Sequence, residues 1–447
     1  MNTIPVPHDL GLQLPLPAGV LKVLLVVLFL IHILFVNFMV GGVTLAFVFE
    51  LLGLSRRKFD KLAFEISATV TVNKSLAVVL GVAPLLAINL AYTTWFYTAT
   101  SLTGYAWLSV IPLVATAFLL TYLHKYTWDR WTGPRKWLHL AVGFSSVALF
   151  WFIPLIFLTN VNLMLFPSFW PRVHGFISAL LMQNVIPRYM HFILATIAVS
   201  SIFAVGYFGR KSYLLEEKLP GFSRRELQYT FYMVAFIVTC LQFIVGPLNF
   251  LTLPVHGLSL KVYLWFGLGI LSALLVLLYI WNELKKNDGV VGLQFSIVIL
   301  LLTTTVIAMA FGRHAYRERA IEPHRRLVEQ KTEEFYWKSE AARARSRMGI
   351  SKTTYSSAGE ADFKKNCSAC HALDFDLIGP SIVEMASIYP DNAEGIVTWS
   401  QAPGVKRGGI PMPAFNHVAE NTLQSIAEYI LSEGASLENK DSGADVD

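Results

Sequence analysis

Apolar residues gather into eight long runs, at about residues 19 to 53, 75 to 98, 105 to 124, 138 to 160, 186 to 208, 228 to 252, 259 to 282 and 291 to 312. Crossing about 30 Å of hydrocarbon takes roughly 20 helical residues, so each run predicts a membrane-spanning α-helix. The first is long enough to tilt or to project past the bilayer. Its start lacks the basic segment and small-residue cleavage site of a secretory leader, which predicts that it is retained. Beyond residue 313 the pattern changes. Residues 315 to 350 are charged and Arg/Glu-rich with helical composition, Ser351 to Gly359 form a polar connector, and the last residues, rich in Asp, Ser and Gly, read as disordered. The predicted organisation is all-α. It comprises a membrane bundle over 1–313, a helical stalk and linker over 314–358, a small all-α domain over 359–436 and a disordered acidic tail over 437–447.

Basic residues alternate between the connections. Arg56, Arg57, Lys58 and Lys61 follow the first run, Lys125, Arg130, Arg135 and Lys136 the third, Arg210, Lys211, Lys218, Arg224 and Arg225 the fifth, and Lys285 and Lys286 the seventh. The even-numbered connections hold few, Arg172 and Arg188 being the main exceptions. Because Lys and Arg accumulate on the cytoplasmic side, eight crossings predict that both termini face away from the cytoplasm.

Composition agrees with a membrane protein: of 447 residues 54% are hydrophobic and 15% charged, against about 25% charged in soluble domains. The net charge of +6 is unevenly shared. Residues 359–447 carry 5 basic and 14 acidic residues, a net −9, leaving +15 for the rest. An acidic tail domain on a basic membrane part excludes nucleic acid as an expected partner. The three cysteines imply no disulfide framework, and Cys240, alone in an apolar run, reads as a small core residue.

The other two cysteines stand in Cys367-Ser368-Ala369-Cys370-His371. Two thiols separated by two residues and followed at once by histidine suit covalent haem attachment, the thiols forming thioethers and the imidazole reaching the iron. Met412, in the Pro-flanked stretch Gly409-Ile410-Pro411-Met412-Pro413-Ala414-Phe415, could present a sulfur to the opposite face of that iron. Met385, in a predicted helix, is the alternative. With Gly379-Pro380 and a predicted helix from about Asn421 to Ser432, this segment resembles the class I cytochromes c. The resemblance implies one covalent haem c with His371 and Met412 as axial ligands. In bacterial cytochromes of this kind the haem is attached outside the cytoplasmic membrane, in agreement with the predicted topology.

A histidine within hydrocarbon is costly and is a functional candidate by default. His32 in the first run and His191 at the outer end of the fifth are the best placed as haem b ligands. Ile31-His32-Ile33-Leu34-Phe35-Val36 with Gly41-Gly42, Trp128-Asp129-Arg130, Arg188-Tyr189-Met190-His191, Gly267-Leu268-Gly269 and Phe311-Gly312-Arg313 together resemble subunit I of the cytochrome bd quinol oxidases. That resemblance implies one or two b haems and a heterodimeric partner. The departures are as informative. The third helix of that family supplies carboxylates to the oxygen site, yet Ser109 to Tyr126 has none, and Ala310 stands where a further glutamate is expected. The outer quinol loop is shortened to about Leu253–Leu258, and residues 259–282 contain no methionine to pair with His191, Trp265 falling near its place. His256 and His314, on the predicted outer side, are then the candidate sixth ligands. His124 and His139 read as interfacial, and His174 has no assigned role.

The expectation is therefore a b/c-type electron carrier in a bacterial inner membrane. It would exchange electrons between membrane haem b, or the quinone pool, and a periplasmic cytochrome or oxidoreductase, beside other membrane subunits of a respiratory complex. As an enzyme it would be an electron-transfer subunit of a quinol:cytochrome c oxidoreductase type. A bd-type terminal oxidase with a fused electron-entry domain is the alternative.

Overall fold

The structure, a computed structural model, describes residues 16–286, 291–347, 358–404 and 412–442; among them all regular structure is helical. The long helices are α1 (Ala18–Gly53), α2 (Arg57–Ala91), α3 (Val110–Tyr126), α4 (Lys136–Leu163), α5 (Val185–Gly209), α6 (Arg224–Leu251), α7 (Leu260–Lys285) and α8 (Leu293–Arg347). Among the described residues, seven helices are long and apolar enough to cross a membrane unbroken, and α2, bent by 46° between Arg57–Thr71 and Leu76–Ala91, makes up to eight. The expected run over 75–98 thus covers only part of its helix. The first turns of α2 are rich in charge, so hydropathy alone does not register them. The chain then breaks at Tyr92 and resumes as a short helix, Thr93–Thr103.

Local chemistry fixes several ends. Before α6, Ser223 Oγ accepts the Glu226 N–H at 3.0 Å, with the acid three residues on that a capping box requires. Ser259 accepts from Val262 N at the start of α7. Many leucines and isoleucines point outward, among them Ile111, Leu264 and Leu271, as helices facing lipid require rather than helices facing water.

Helix α1 packs against α2, α4 and α5. Its glycines permit the close approach: a Cβ on Gly41 would lie 2.0 Å from the Thr196 carbonyl oxygen of α5, and one on Gly42 would lie 2.4 Å from Val70 of α2. Ser200 Oγ of α5 donates to the Asn37 carbonyl at 3.0 Å in the same crossing. One apolar cluster at the basic end includes Phe49, Leu62, Phe150, Phe208 and Phe231, and a second at the opposite end includes Tyr92, Trp95, Trp170, Val262 and Tyr316.

Beyond its apolar part α8 runs on without a break, burying Tyr316, Ala320, Ile321 and Val328. Tyr316 Oη donates to the Pro254 carbonyl at 3.1 Å, and Glu318 pairs with Lys22 of α1 at 2.5 Å. The chain divides into compact units at Phe335 and Tyr336, inside the stretch read as a stalk. In the second unit α9 (Ala358–Asn366), α10 (Ile382–Ile388) and α11 (Ala393–Gln401) pack on α12 (Glu420–Ser442). Residues 437–442 are thus helical where composition led us to expect disorder; 443–447 and the connector 351–357 lie outside the described residues.

Filling the α1–α5 crossing tests this packing. Gly41→Val is expected to cost at least about 2 kcal/mol by overpacking, read as a lowered unfolding midpoint in detergent. An unchanged midpoint would contradict the close crossing.

Candidate haem sites

The Cys367–His371 segment leaves α9 in a turn, with the N–H groups of Cys370 and His371 both donating to the Cys367 carbonyl at 3.1 Å. The Cys370 carbonyl in turn accepts from Ile378 and Gly379, folding the following loop back onto the motif. His371 is 8% exposed, and its Nδ1 donates to the Pro380 carbonyl at 2.8 Å. That bond fixes the tautomer and leaves the Nε2 lone pair for a metal. A Cβ on Gly379 would lie 2.3 Å from the ring, so glycine is what lets the backbone pass this close. The chemistry of this donor set fits a covalently held haem: two half-buried, unbridged thiols beside an oriented imidazole.

Cys367 and Met385 both pack against the cluster of Phe363, Ile382, Tyr429 and Ile430. Met385 is therefore engaged in the domain core. Met412 is half-buried; its neighbours Gly409, Ile410 and Pro411 lie outside the described residues. The chain just beyond is tied to α11 by the Phe415 N–H, which donates to the Ser400 carbonyl at 2.9 Å. A cavity of about 270 Å³ opens beside His371, lined also by Phe363, Leu373, Phe375 and Tyr429.

In the bundle, His32 and His191 sit on adjacent helices. His32 hydrogen-bonds the Ala77 backbone while its Nδ1 is buried without a partner. A Cβ on Gly81 of α2 would come within 2.8 Å of its ring. His191 Nδ1 is likewise buried and unpartnered, and Gly246 of α6 borders that ring. Phe38 of α1 meets Phe203 of α5 with the rings tilted at 59° and 4.3 Å between ring centres, close to the Asn37–Ser200 contact. Counted from that contact at about 1.5 Å per residue, His32 lies about 8 Å and His191 about 13 Å towards the end away from the basic loops. The two imidazoles thus stand within about one turn of the same depth. His314 on α8 also buries an unpartnered Nδ1. His256 is exposed in its loop, as is His174 in another.

His124 and His139, expected near the cytoplasmic boundary, stand at the basic ends of α3 and α4 and are buried in the protein, at 5% and 0% exposure. Glu50 of α1, fully buried, lies 2.7 Å from His124 Nε2 and 2.5 Å from His139 Nδ1. Lys136 Nζ bridges Glu50 at 2.8 Å and Asp60 at 2.9 Å. Glu50 escaped the sequence reading, although a single acid inside the run Phe47-Val48-Phe49-Glu50-Leu51 is the signal that marks an intramembrane functional group. Arg188, one turn before His191, is 6% exposed with an unpartnered Nε.

Known proteins divide the chain in the same way. Cytochrome c-551 of Azotobacter vinelandii is 40% identical over 81 residues, which are 17% of this chain and 95% of that protein. Cytochrome c-551 of Pseudomonas denitrificans is 38% identical over 81 residues, again 17% of this chain and 98% of that protein. Cytochrome c6 of Cyanidium caldarium is 32% identical over 75 residues, 17% of this chain and 67% of that protein. The matched region lies in the C-terminal part. Among solved structures, the bd oxidase from Geobacillus thermodenitrificans superposes with a TM-score of 0.52 at 12% identity, covering 68% of this chain and 86% of that one. That likeness establishes the fold of the bundle. No family model matches the chain.

Burial and the neighbouring Cys370 push the Cys367 thiol up to about 11. In chain made without haem, Cys367 is therefore mostly protonated at neutral pH. Its alkylation rate is expected to climb until about pH 11. A rate that levels off near about pH 8.5, the ordinary cysteine value, would contradict the buried setting.

Proposed function

Through its C-terminal domain the chain belongs to the cytochrome c-551 family, and from that premise we propose that it is a membrane electron carrier. It would exchange electrons between haem b in the bundle and a haem c borne on the same chain. The observation that carries this reading is the coexistence of two kinds of oriented imidazole. His371 is tautomerically fixed beside Cys367 and Cys370, and His32 and His191 bury unpartnered ring nitrogens at similar depth in the bundle.

Bound haem supplies a one-electron change of iron oxidation state. The chain's residues hold and tune it. Cys367 and Cys370 would hold the haem c covalently, the Pro380 carbonyl orients His371, and His371 and Met412 would be its iron ligands, a pair that favours a high potential. His191 and His32 would hold haem b, and His314, whose Nδ1 is buried without a partner, would be a further ligand in preference to the exposed His256. Helix α3 offers no carboxylate to an oxygen-reducing centre, which favours electron transfer over catalysis of dioxygen reduction.

We further assign the haem c domain to the periplasmic face of a bacterial inner membrane, where its acidic surface suits a redox partner with a basic one. Rising ionic strength should slow that encounter. The quinone pool is the proposed membrane donor or acceptor, within a respiratory complex of further membrane subunits.

Pyridine haemochrome analysis of the purified full chain tests this reading. It is expected to show one haem c together with haem b, with His191→Ala losing haem b and keeping haem c. Haem c alone in the unaltered protein would contradict it. A spectral shift of the reduced protein on adding carbon monoxide would favour an oxygen-reducing site instead.

A further inference from the structure

The cluster at the basic end of the bundle is built from four helices and has no part in the electron-transfer reading. It comprises Glu50 on α1, Asp60 on α2, His124 on α3, and Lys136 and His139 on α4, with Trp128 in the connection between α3 and α4. The two imidazoles stack at 4.3 Å between centres, Trp128 stands edge-on to both, and its Nε1 donates to Asp60 at 3.1 Å. Gly143 makes room for His124, since a Cβ there would lie 2.8 Å from Nε2.

Its hydrogen bonds determine how many protons it holds. His139 Nε2 lies 2.7 Å from the His124 carbonyl oxygen. A carbonyl can only accept, so Nε2 carries a hydrogen. His139 Nδ1 then faces Glu50 Oε1 at 2.5 Å. A neutral imidazole would turn a lone pair towards a carboxylate there, two acceptors in contact, so a proton stands between them. The same oxygen already receives Lys136, and the other carboxylate oxygen meets His124 Nε2. A carboxylate with three donors is held as the anion, which places the extra proton on His139.

A divalent cation is the rival occupant, because Glu50, His124 and His139 offer ligand atoms within 4.8 Å of one another. Ligand atoms at about 2.1 Å from an ion stand roughly 3 Å or more apart, however, and each imidazole nitrogen stands at hydrogen-bond distance from a Glu50 oxygen, 2.7 Å for His124 and 2.5 Å for His139.

We infer that Glu50, His124 and His139 form a buried proton-binding site, holding one proton as a His139 imidazolium clamped on Glu50. Lys136 and Asp60, with side chains 19% and 29% exposed, link it to water at the basic end. Glu50 lies 18 residues beyond His32 on α1, about 27 Å away, so the site is separate from the proposed haem ligands.

Infrared spectroscopy of the full chain carrying ring-nitrogen-labelled histidine tests the inference at about pH 8, where an ordinary histidine is neutral. A label-sensitive imidazolium band is expected in the unaltered protein and its loss is expected in Glu50→Gln. His139→Gln, which leaves Lys136 on Glu50, is expected to lose the same band and keeps the test readable if Glu50→Gln does not fold. Absence of the band from the unaltered protein, or its survival in both variants, would overturn the inference. So would a stoichiometric divalent ion in the purified protein that Glu50→Gln releases.

Discussion

A polar side chain inside an apolar helix must find its partner within the protein, because lipid offers none. Helix α1 carries this constraint most sharply in His32 and Glu50, and the arrangement of the bundle follows from how each is met. Gly41 and Gly42 bring α5 and α2 against α1. Glu50 is thereby brought within reach of Lys136 and two imidazoles, and one acid ties α1 to α3 and α4. Removing one partner from a buried ion pair typically costs about 3–5 kcal/mol, so this contact holds the basic end together. His32 is treated differently. Its neighbours leave one ring nitrogen without a partner, a residual demand that the haem b of the proposed function would meet.

The sequence made the gross architecture readable because lipid imposes a simple rule of length and apolarity. That rule located α1 and α3 to α7 to within about five residues and the start of α8 as closely, but it missed the charged continuation of α8 to Arg347 and the first turns of α2. There Arg57, Lys58, Asp60 and Lys61 sit on a helix that hydropathy cannot register. The haem c motif was legible for another reason: its ligands are neighbours in the chain. Its orienting contact with Pro380 was not, since nothing in the spacing shows which carbonyl the imidazole will meet. The Glu50 cluster lay furthest from view. Its members at 50, 60, 124, 136 and 139 are separate in sequence, and only Glu50, a lone acid in an apolar run, carried a local signal.

The bundle has the fold of a bd oxidase at 12% identity. Such a likeness says how helices are stacked and nothing of the chemistry between them. In α3 the residues are apolar or hydroxylic up to His124, and the buried acid reaches α3 from α1 at the basic end. Acid and imidazole thus meet at one end of the bundle, and unpartnered imidazoles stand towards the other. That separation suits a protein in which proton-holding and electron-carrying groups occupy different levels of the membrane.

The central claim is that the bundle and the tethered domain exchange electrons within one chain. It is tested most directly by injecting a single electron into haem c of the full chain with a surface-attached photoreductant and following both absorbance bands in time. The account predicts that the b-type band rises as the reduced c-type band decays, at one shared rate that does not depend on protein concentration. A reduced c-type band that persists until an external oxidant is added would contradict it.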